Sequence, residues 1–248
     1  MGFLALGLFI SLSSSIGDSL YLNRDYFNAI TEYKRSLFYG DQDSIILLRK
    51  IALSYYKRGK FEDAMEYYSR AYYNAGSREI GVLFALASIR AGIFQSARLI
   101  LEDQVDSFSL ILKAVSFGLS EEYDSANKIL ISLGYPVPTE LRRKKVIELA
   151  SRFIPGLGLL FIGDFSLFCG TLIASGAGGY LTYYYIKRRL YYEAVTSGIP
   201  LFLRFYNGGQ WNTRTRMKIA VRKYFTGILK VLEDDLLERE ERSLFNQK

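Results

Sequence analysis

A chain of 248 residues, 50% hydrophobic and with only 4 prolines, can hold one large or two modest domains and belongs to neither the disordered nor the collagen-like class. It holds no histidine and 1 cysteine, which removes Ser-His-Asp and Cys-His triads, most metal sites and any intrachain disulfide. The net charge of +7 is moderate, so its distribution must decide between anionic lipid and nucleic acid. The chain opens on an apolar run, Met1 to Leu12, closed by Ser13, Ser14 and Ser15. That pattern fits a signal peptide or N-terminal anchor over residues 1–15, although the usual basic leader is missing. The competing reading is the first helix of the domain that follows.

The next stretch repeats. An aromatic residue precedes an alanine by three positions four times, as Tyr26 with Ala29, Phe61 with Ala64, Phe94 with Ala97 and Tyr123 with Ala126. The alanines are 35, 33 and 29 residues apart, close to the tetratricopeptide period of about 34. The second copy is the clearest. Leu48, Ile51, Ala52 and Tyr55 mark one helix, Gly59 ends it, and Phe61, Ala64, Tyr68 and Ala71 mark the next. This pattern resembles a tetratricopeptide repeat, in which small residues such as Ala52 and Ala64 sit where two antiparallel helices touch. Ala29, Ala97 and Ala126 take the same place in the other copies, and Tyr55, Phe61 and Tyr68 are expected to fill the seams between repeats. Residues 16–138 are therefore read as tetratricopeptide-like repeats that stack and present a surface for a protein partner. Tyr33, Tyr56, Tyr67 and Tyr72 either line that surface or pack between repeats.

Pro136 and Pro138 mark a boundary, followed by the basic cluster Arg142, Arg143, Lys144 and Lys145. From Phe153 to Ile186 the only charge is Asp164, so residues 139–209 read as a hydrophobic membrane domain. Pro155 and the glycines make Phe153 to Gly163 a bent or interfacial piece and Phe165 to Ile186 the span. Tyr180, Tyr183, Tyr184 and Tyr185, then Lys187, Arg188 and Arg189, form an aromatic belt and a charged stop. Leu190 to Tyr206 can cross only when paired against that span as a hairpin, because Gly198 and Pro200 weaken it.

Two short motifs accompany these segments. Pro155, Gly156, Gly158, Phe161, Gly163 and Asp164 resemble the Pro-Gly-x-Gly-x-x-aromatic-x-Gly opening of small two-span bacterial membrane domains. Arg204, Phe205, Tyr206, Asn207, Gly208 and Gly209 resemble their Arg-Phe-Tyr-x-Gly close. With the upstream repeats, the chain resembles an uncharacterised bacterial envelope family, some members of which are associated with a membrane-protein insertion efficiency factor. It departs from that family in having Leu159 where glutamine is common, and it lacks the insertion-factor domain. The glycines do not make a phosphate loop, since no strand precedes them and no Lys-Ser or Lys-Thr pair follows. Asp164 is expected to cap the span and touch headgroup water, and an ion pair with Arg204 would close the hairpin.

Met217, Val221, Tyr224, Ile228 and Leu232 recur at helical spacing, which makes residues 210–248 an amphipathic helical tail. Its first half is basic and its second half acidic from Glu233 onward. It is expected either to lie on anionic lipid or to pack on the rest of the chain. The expected architecture is all-α: a helical-hairpin solenoid, a transmembrane hairpin and an amphipathic C-terminal helix. The expected function is a membrane-anchored scaffold or adaptor that binds a protein partner at the bacterial envelope. The alternative is an accessory subunit of a membrane-protein insertion or assembly machine. No enzyme, cofactor, metal, small-molecule substrate or nucleic acid is expected, because the basic residues cluster beside apolar segments and no acid, base and nucleophile come together. The resemblance places the protein in the bacterial inner membrane with its repeats periplasmic, whereas the basic residues around them favour the cytoplasmic side by the positive-inside rule.

Overall fold

The computed structural model describes residues 15–40 and 44–245, which are helical with short connections and contain no strand. The apolar run taken as a signal or anchor falls almost wholly outside the described residues. In chain order the helices are α1 (15–22), α2 (Tyr26–Phe38), α3 (Ser44–Lys57), α4 (Phe61–Ala75), α5 (Arg78–Arg90), α6 (Phe94–Ile100) and α7 (Ser107–Leu119). There follow α8 (Tyr123–Ser132), α9 (Thr139–Arg142), α10 (Lys144–Phe153), α11 (Leu157–Ile162), α12 (Phe165–Lys187), α13 (Tyr191–Glu193) and α14 (Ile199–Phe245). A π-helical turn over Ala194–Gly198 carries α13 into α14.

The chain forms two compact units, one of Met1–Ser120 with Gly227–Lys248 and one of Glu121–Thr226. The division does not fall at Pro138, where the composition changes. Residues 121–138 belong with the hydrophobic region, and the last part of α14 belongs with the N-terminal helices.

In the first unit one kind of corner recurs. Gly59 and Gly92 take left-handed backbone (φ 72° and 80°), and the following amide reaches back, Lys60 N to Tyr55 O at 3.0 Å and Ile93 N to Ser88 O at 2.8 Å. Glycine suits these positions because the left-handed region crowds a Cβ. Arg24 (φ 63°) makes the same corner without glycine, with Asp25 N bonded to Leu20 O at 2.9 Å. Each corner stands five residues before an alanine, Ala29, Ala64 or Ala97, and all three alanines are fully buried. The sequence period is thus also a period of the backbone.

Small residues allow the helices of this unit to approach. A Cβ on Gly17 would come within 2.5 Å of the Tyr33 ring, and one on Gly81 within 2.9 Å of Tyr72. Ala52 and Ala85 are fully buried, as are the large side chains Tyr33, Ile51, Leu53, Tyr68 and Leu86. Helix α5 is buried along every face from Ile80 to Ile89. A helix apolar all round has to be enclosed, and α4, α6 and α7 pack against it.

The second unit holds α8 to α13 and α14 as far as Thr226. Within it, Lys218 pairs with Glu121 at 2.6 Å, the Lys144 ammonium lies 5.2 Å from the Tyr123 ring centre, and the Tyr224 hydroxyl donates to the carbonyl of Pro136. These contacts explain why 121–138 groups with the hydrophobic region.

Candidate functional site

In the first unit, the C-terminal stretch of α14 lies along the helices that open each hairpin. Its apolar face buries Leu229, Leu232, Leu237 and Leu244, and the Phe245 ring stacks on Tyr21 with centroids 4.6 Å apart. Among those leucines stand Glu233, Glu240 and Glu241, each met by a cation or phenol. Arg49 Nε donates to Glu240 at 2.9 Å, its second nitrogen to the other carboxylate oxygen, and the same guanidinium reaches Ser243 at 3.1 Å. Glu233 accepts from Tyr56 at 2.8 Å and pairs with Arg90. Glu241 accepts from Tyr21 and pairs with Lys57, both at 2.7 Å. Glu240 is only 4% exposed, so its charge depends on the Arg49 fork.

The first helix is tied in by a second cluster. Lys50, 7% exposed, donates to both oxygens of Asp18 at 2.7 and 2.8 Å, and the Tyr33 hydroxyl donates to the same carboxylate at 2.8 Å. Burial, then the Asp18 carboxylate beside it, pushes the Tyr33 phenol far above its ordinary value. Burial and Glu241 do the same to Tyr21, and burial and Glu233 to Tyr56. These phenols stay protonated and donate to the carboxylates beside them.

The residues singled out in the repeats separate into two groups. Ala29, Ala52, Ala64 and Ala97 are fully buried in the first unit, and Ala126 is fully buried in the second. Tyr55 is half-buried and faces α2 of the preceding hairpin. It stacks on Tyr67 of its own hairpin at 5.6 Å and accepts from Lys34 at 2.7 Å. Phe61 lies edge-on to Tyr56 at 5.0 Å and under the Arg90 guanidinium at 5.8 Å, so it does bridge to α5. Tyr33 is a core residue, and Tyr72 packs on Gly81 and Phe84.

In the second unit the two glycine motifs interlock. Gly156 takes left-handed backbone (φ 77°) after the half-buried Pro155 and turns the chain from α10 into α11. A Cβ on Gly158 would collide with Ser151 and Thr213 and come within 2.9 Å of the carbonyl of Ile147. Its amide donates to Ser151 Oγ at 3.0 Å, Ser151 donates to Thr213 Oγ1 at 3.2 Å, and Thr213 donates to the carbonyl of Gly209 at 2.9 Å. Gly209 in turn lies against Gly156, where a Cβ would approach its amide nitrogen to 2.9 Å. Tyr206 donates to the carbonyl of Arg152, and Leu159, in the place where glutamine is common, is fully buried. Ser151, Thr171 and Thr213 also carry this junction but form no sequence motif, because they only meet through folding.

Gly163 (φ 84°) makes the corner between α11 and α12, and Asp164 caps α12 by accepting from Leu167 N at 3.3 Å. The ion-pair partner of Asp164 is Arg216, at 3.3 Å, and not Arg204. Arg204 stands too far along α14 toward the hairpin loop to reach it. Helix α12 and the arm that follows it run antiparallel and touch through small residues. A Cβ on Gly178 would come within 2.9 Å of Phe202 N and Cα, and one on Gly198 within 2.9 Å of Thr182 Cα.

Among the described residues, α12 is the one helix long and apolar enough to cross a bilayer, by length and composition. Its 23 residues span about 35 Å against a hydrocarbon core of about 30 Å. Within its unit it is mostly exposed, with Phe165 at 66% and Ile173 at 71%. Among the described residues no group of three or more His, Cys, Asp or Glu is placed to hold a metal ion. No protein-family model and no curated protein matches the chain, so its functional reading rests on its own residues.

Proposed function

We propose that the protein is a membrane-anchored scaffold whose α12 and returning arm cross the bilayer as a hairpin and whose tetratricopeptide-like repeats serve a protein partner. The observation that carries this reading is the exposure of α12. An apolar helix of spanning length that packs through glycines and leaves most of its surface outward suits lipid better than water. A core helix of the same composition would be enclosed, as α5 is.

The repeats supply the scaffold. Their recurring corner and buried alanines match a stack of helical hairpins, whose open face ordinarily receives a peptide or helix. Here the face lined by α1, α3 and α5 holds the chain's own acidic helix. A partner on that face either displaces the tail or binds the outer side of the repeats. The envelope resemblance implies repeats outside the cytoplasm and the Lys187–Arg189 loop inside.

Two measurements test the reading. Wild-type protein in native membranes is expected to resist carbonate and high-salt extraction, and release by salt would overturn the spanning hairpin. Reporter fusions after Pro138 and after Lys248 are expected to report the same, exported side. Opposite sides would mean that the returning arm does not cross, and a cytoplasmic result at both would reverse the orientation.

A further inference from the structure

The contacts between α12 and the returning arm set one register. Asp164 pairs with Arg216, Gly209 meets Thr171, Gly178 meets Phe202, and Gly198 meets Thr182. In each pair, a step toward the loop on one arm is matched by an equal step on the other. Arg204 therefore falls level with Gly176, which lies eleven residues from Phe165 and eleven from Lys187. At 1.5 Å per residue that is about 16 Å from either end, farther than a guanidinium on its stem extends.

Arg204 and Asn207, one turn on, are both exposed within the second unit, with Leu203 beside them. The hairpin brings no acid to that depth. From Phe165 to Leu232 the only acidic residue is Glu193, beside the loop, while Asp164 is occupied at the opposite end. Spanning segments rarely keep an arginine in mid-bilayer unless it meets an anionic or carbonyl partner. A second copy of the chain would bring only another Arg204 to the same level. Lipid phosphates lie at the interface, far from Gly176.

Resting on the spanning reading, we propose that Arg204 and Asn207 form the docking point for a membrane helix of a different protein that carries an aspartate or glutamate near its middle. The carboxylate accepts from the Arg204 guanidinium, and the Asn207 amide supplies a further hydrogen bond one turn away. The bland apolar flanks, Leu203 and Phe205, cover the pair from lipid.

The test uses the full-length chain in its native membranes, with a photo-crosslinking residue in place of Leu203. One discrete adduct is expected, to a protein with an Asp or Glu near the centre of a span. The adduct should persist with Arg204→Lys and fall about tenfold or more with Arg204→Leu, because a single unpaired partner is costly to bury. It should disappear with Arg204→Glu and return when the partner's carboxylate is changed to arginine. An adduct undiminished by Arg204→Leu, an adduct to a second copy or to lipid alone, or a partner with no mid-span carboxylate would each overturn the proposal. A separate measurement isolates the spanning reading: Arg204→Cys in a Cys169→Ser background is probed with a membrane-impermeant maleimide. Shielding at 204 is expected. Labelling as fast as at Lys223→Cys would remove the spanning hairpin and the docking point together, whereas shielding without charge-dependent crosslinking would remove the docking point alone.

Discussion

The tail helix of the first unit and the α12 hairpin of the second are held by different means. In the N-terminal unit the tail helix is seated by leucines and by carboxylates sunk among Arg49, Lys57 and Arg90. In the second unit α12 and its returning arm meet at glycines, hydroxyls link Ser151 to Thr213, and the one pair at the foot of the hairpin, Asp164 with Arg216, is half exposed. In water, removing apolar surface is the driving force, and charge pairs then choose one register among many greasy ones. Between helices in lipid that force is absent, and close backbone approach through small residues takes its place. The contrast is the one expected if the first unit is bathed in water and the α12 hairpin in lipid.

The largest expected effect lies in the buried pair of the first unit. Arg49→Met leaves Glu240 buried without its fork and should destabilise the tail by roughly 3–5 kcal/mol. Hydrogen exchange over 227–245 should rise accordingly. Adding Glu240→Leu should recover most of the loss, since an apolar replacement of both partners is often neutral. If the double variant remains as unstable as the single one, the pair does more than choose a register.

Glycine substitutions sharpen the other side of the comparison. Gly158→Leu should cost about 1–3 kcal/mol or more by overpacking against Ser151, Thr213 and the Ile147 carbonyl. Gly176→Leu, where nothing lies within 4 Å, should leave folding nearly unchanged. Protease resistance in detergent reads both, and equal effects would refute the packing difference. Alanine in the first unit is tested the same way, with Ala64→Trp expected to destabilise by a similar 1–3 kcal/mol.

The phenols give the first unit an alkaline limit. Tyr21, Tyr33 and Tyr56 hold their protons far above the ordinary 10.0, chiefly through burial and then through Glu241, Asp18 and Glu233. The unfolded chain releases these protons first, so their contribution is fully present below pH 10 and declines as pH rises beyond it. Thermal unfolding followed by circular dichroism should show that decline, and Tyr56→Phe should flatten it. An unchanged slope would remove Tyr56 from the account.

The smallest effect concerns the corners. Arg24 adopts the left-handed backbone that Gly59 and Gly92 supply elsewhere. Arg24→Gly should stabilise the first unit slightly, by less than about 1 kcal/mol, because relief of Cβ crowding exceeds the added chain entropy. Loss of stability would mean that the Arg24 side chain contributes packing of its own.

Much of this architecture is written locally. The aromatic-x-x-Ala spacing locates helices and corners because the corner, the cap and the alanine all lie within a few residues of each other, where backbone geometry is set by the residues themselves. Asp164 before Phe165 reads as a cap for the same reason. Pairings distant in sequence could not be read that way. Asp164 takes Arg216 and leaves Arg204 aside, a choice made by the register of two arms that meet only when folded. Ser151 and Thr213 form a buried link across 62 positions, with no periodicity to announce it. The tail's apolar stripe was plain, but its place was not, since leucines at helical spacing suit a lipid surface and a helical repeat equally well. Only the tertiary arrangement of Arg49 and Lys57 on α3 and Arg90 on α5, aimed at Glu240, Glu241 and Glu233, decided between them, because electrostatic complementarity depends on distances that sequence spacing does not contain.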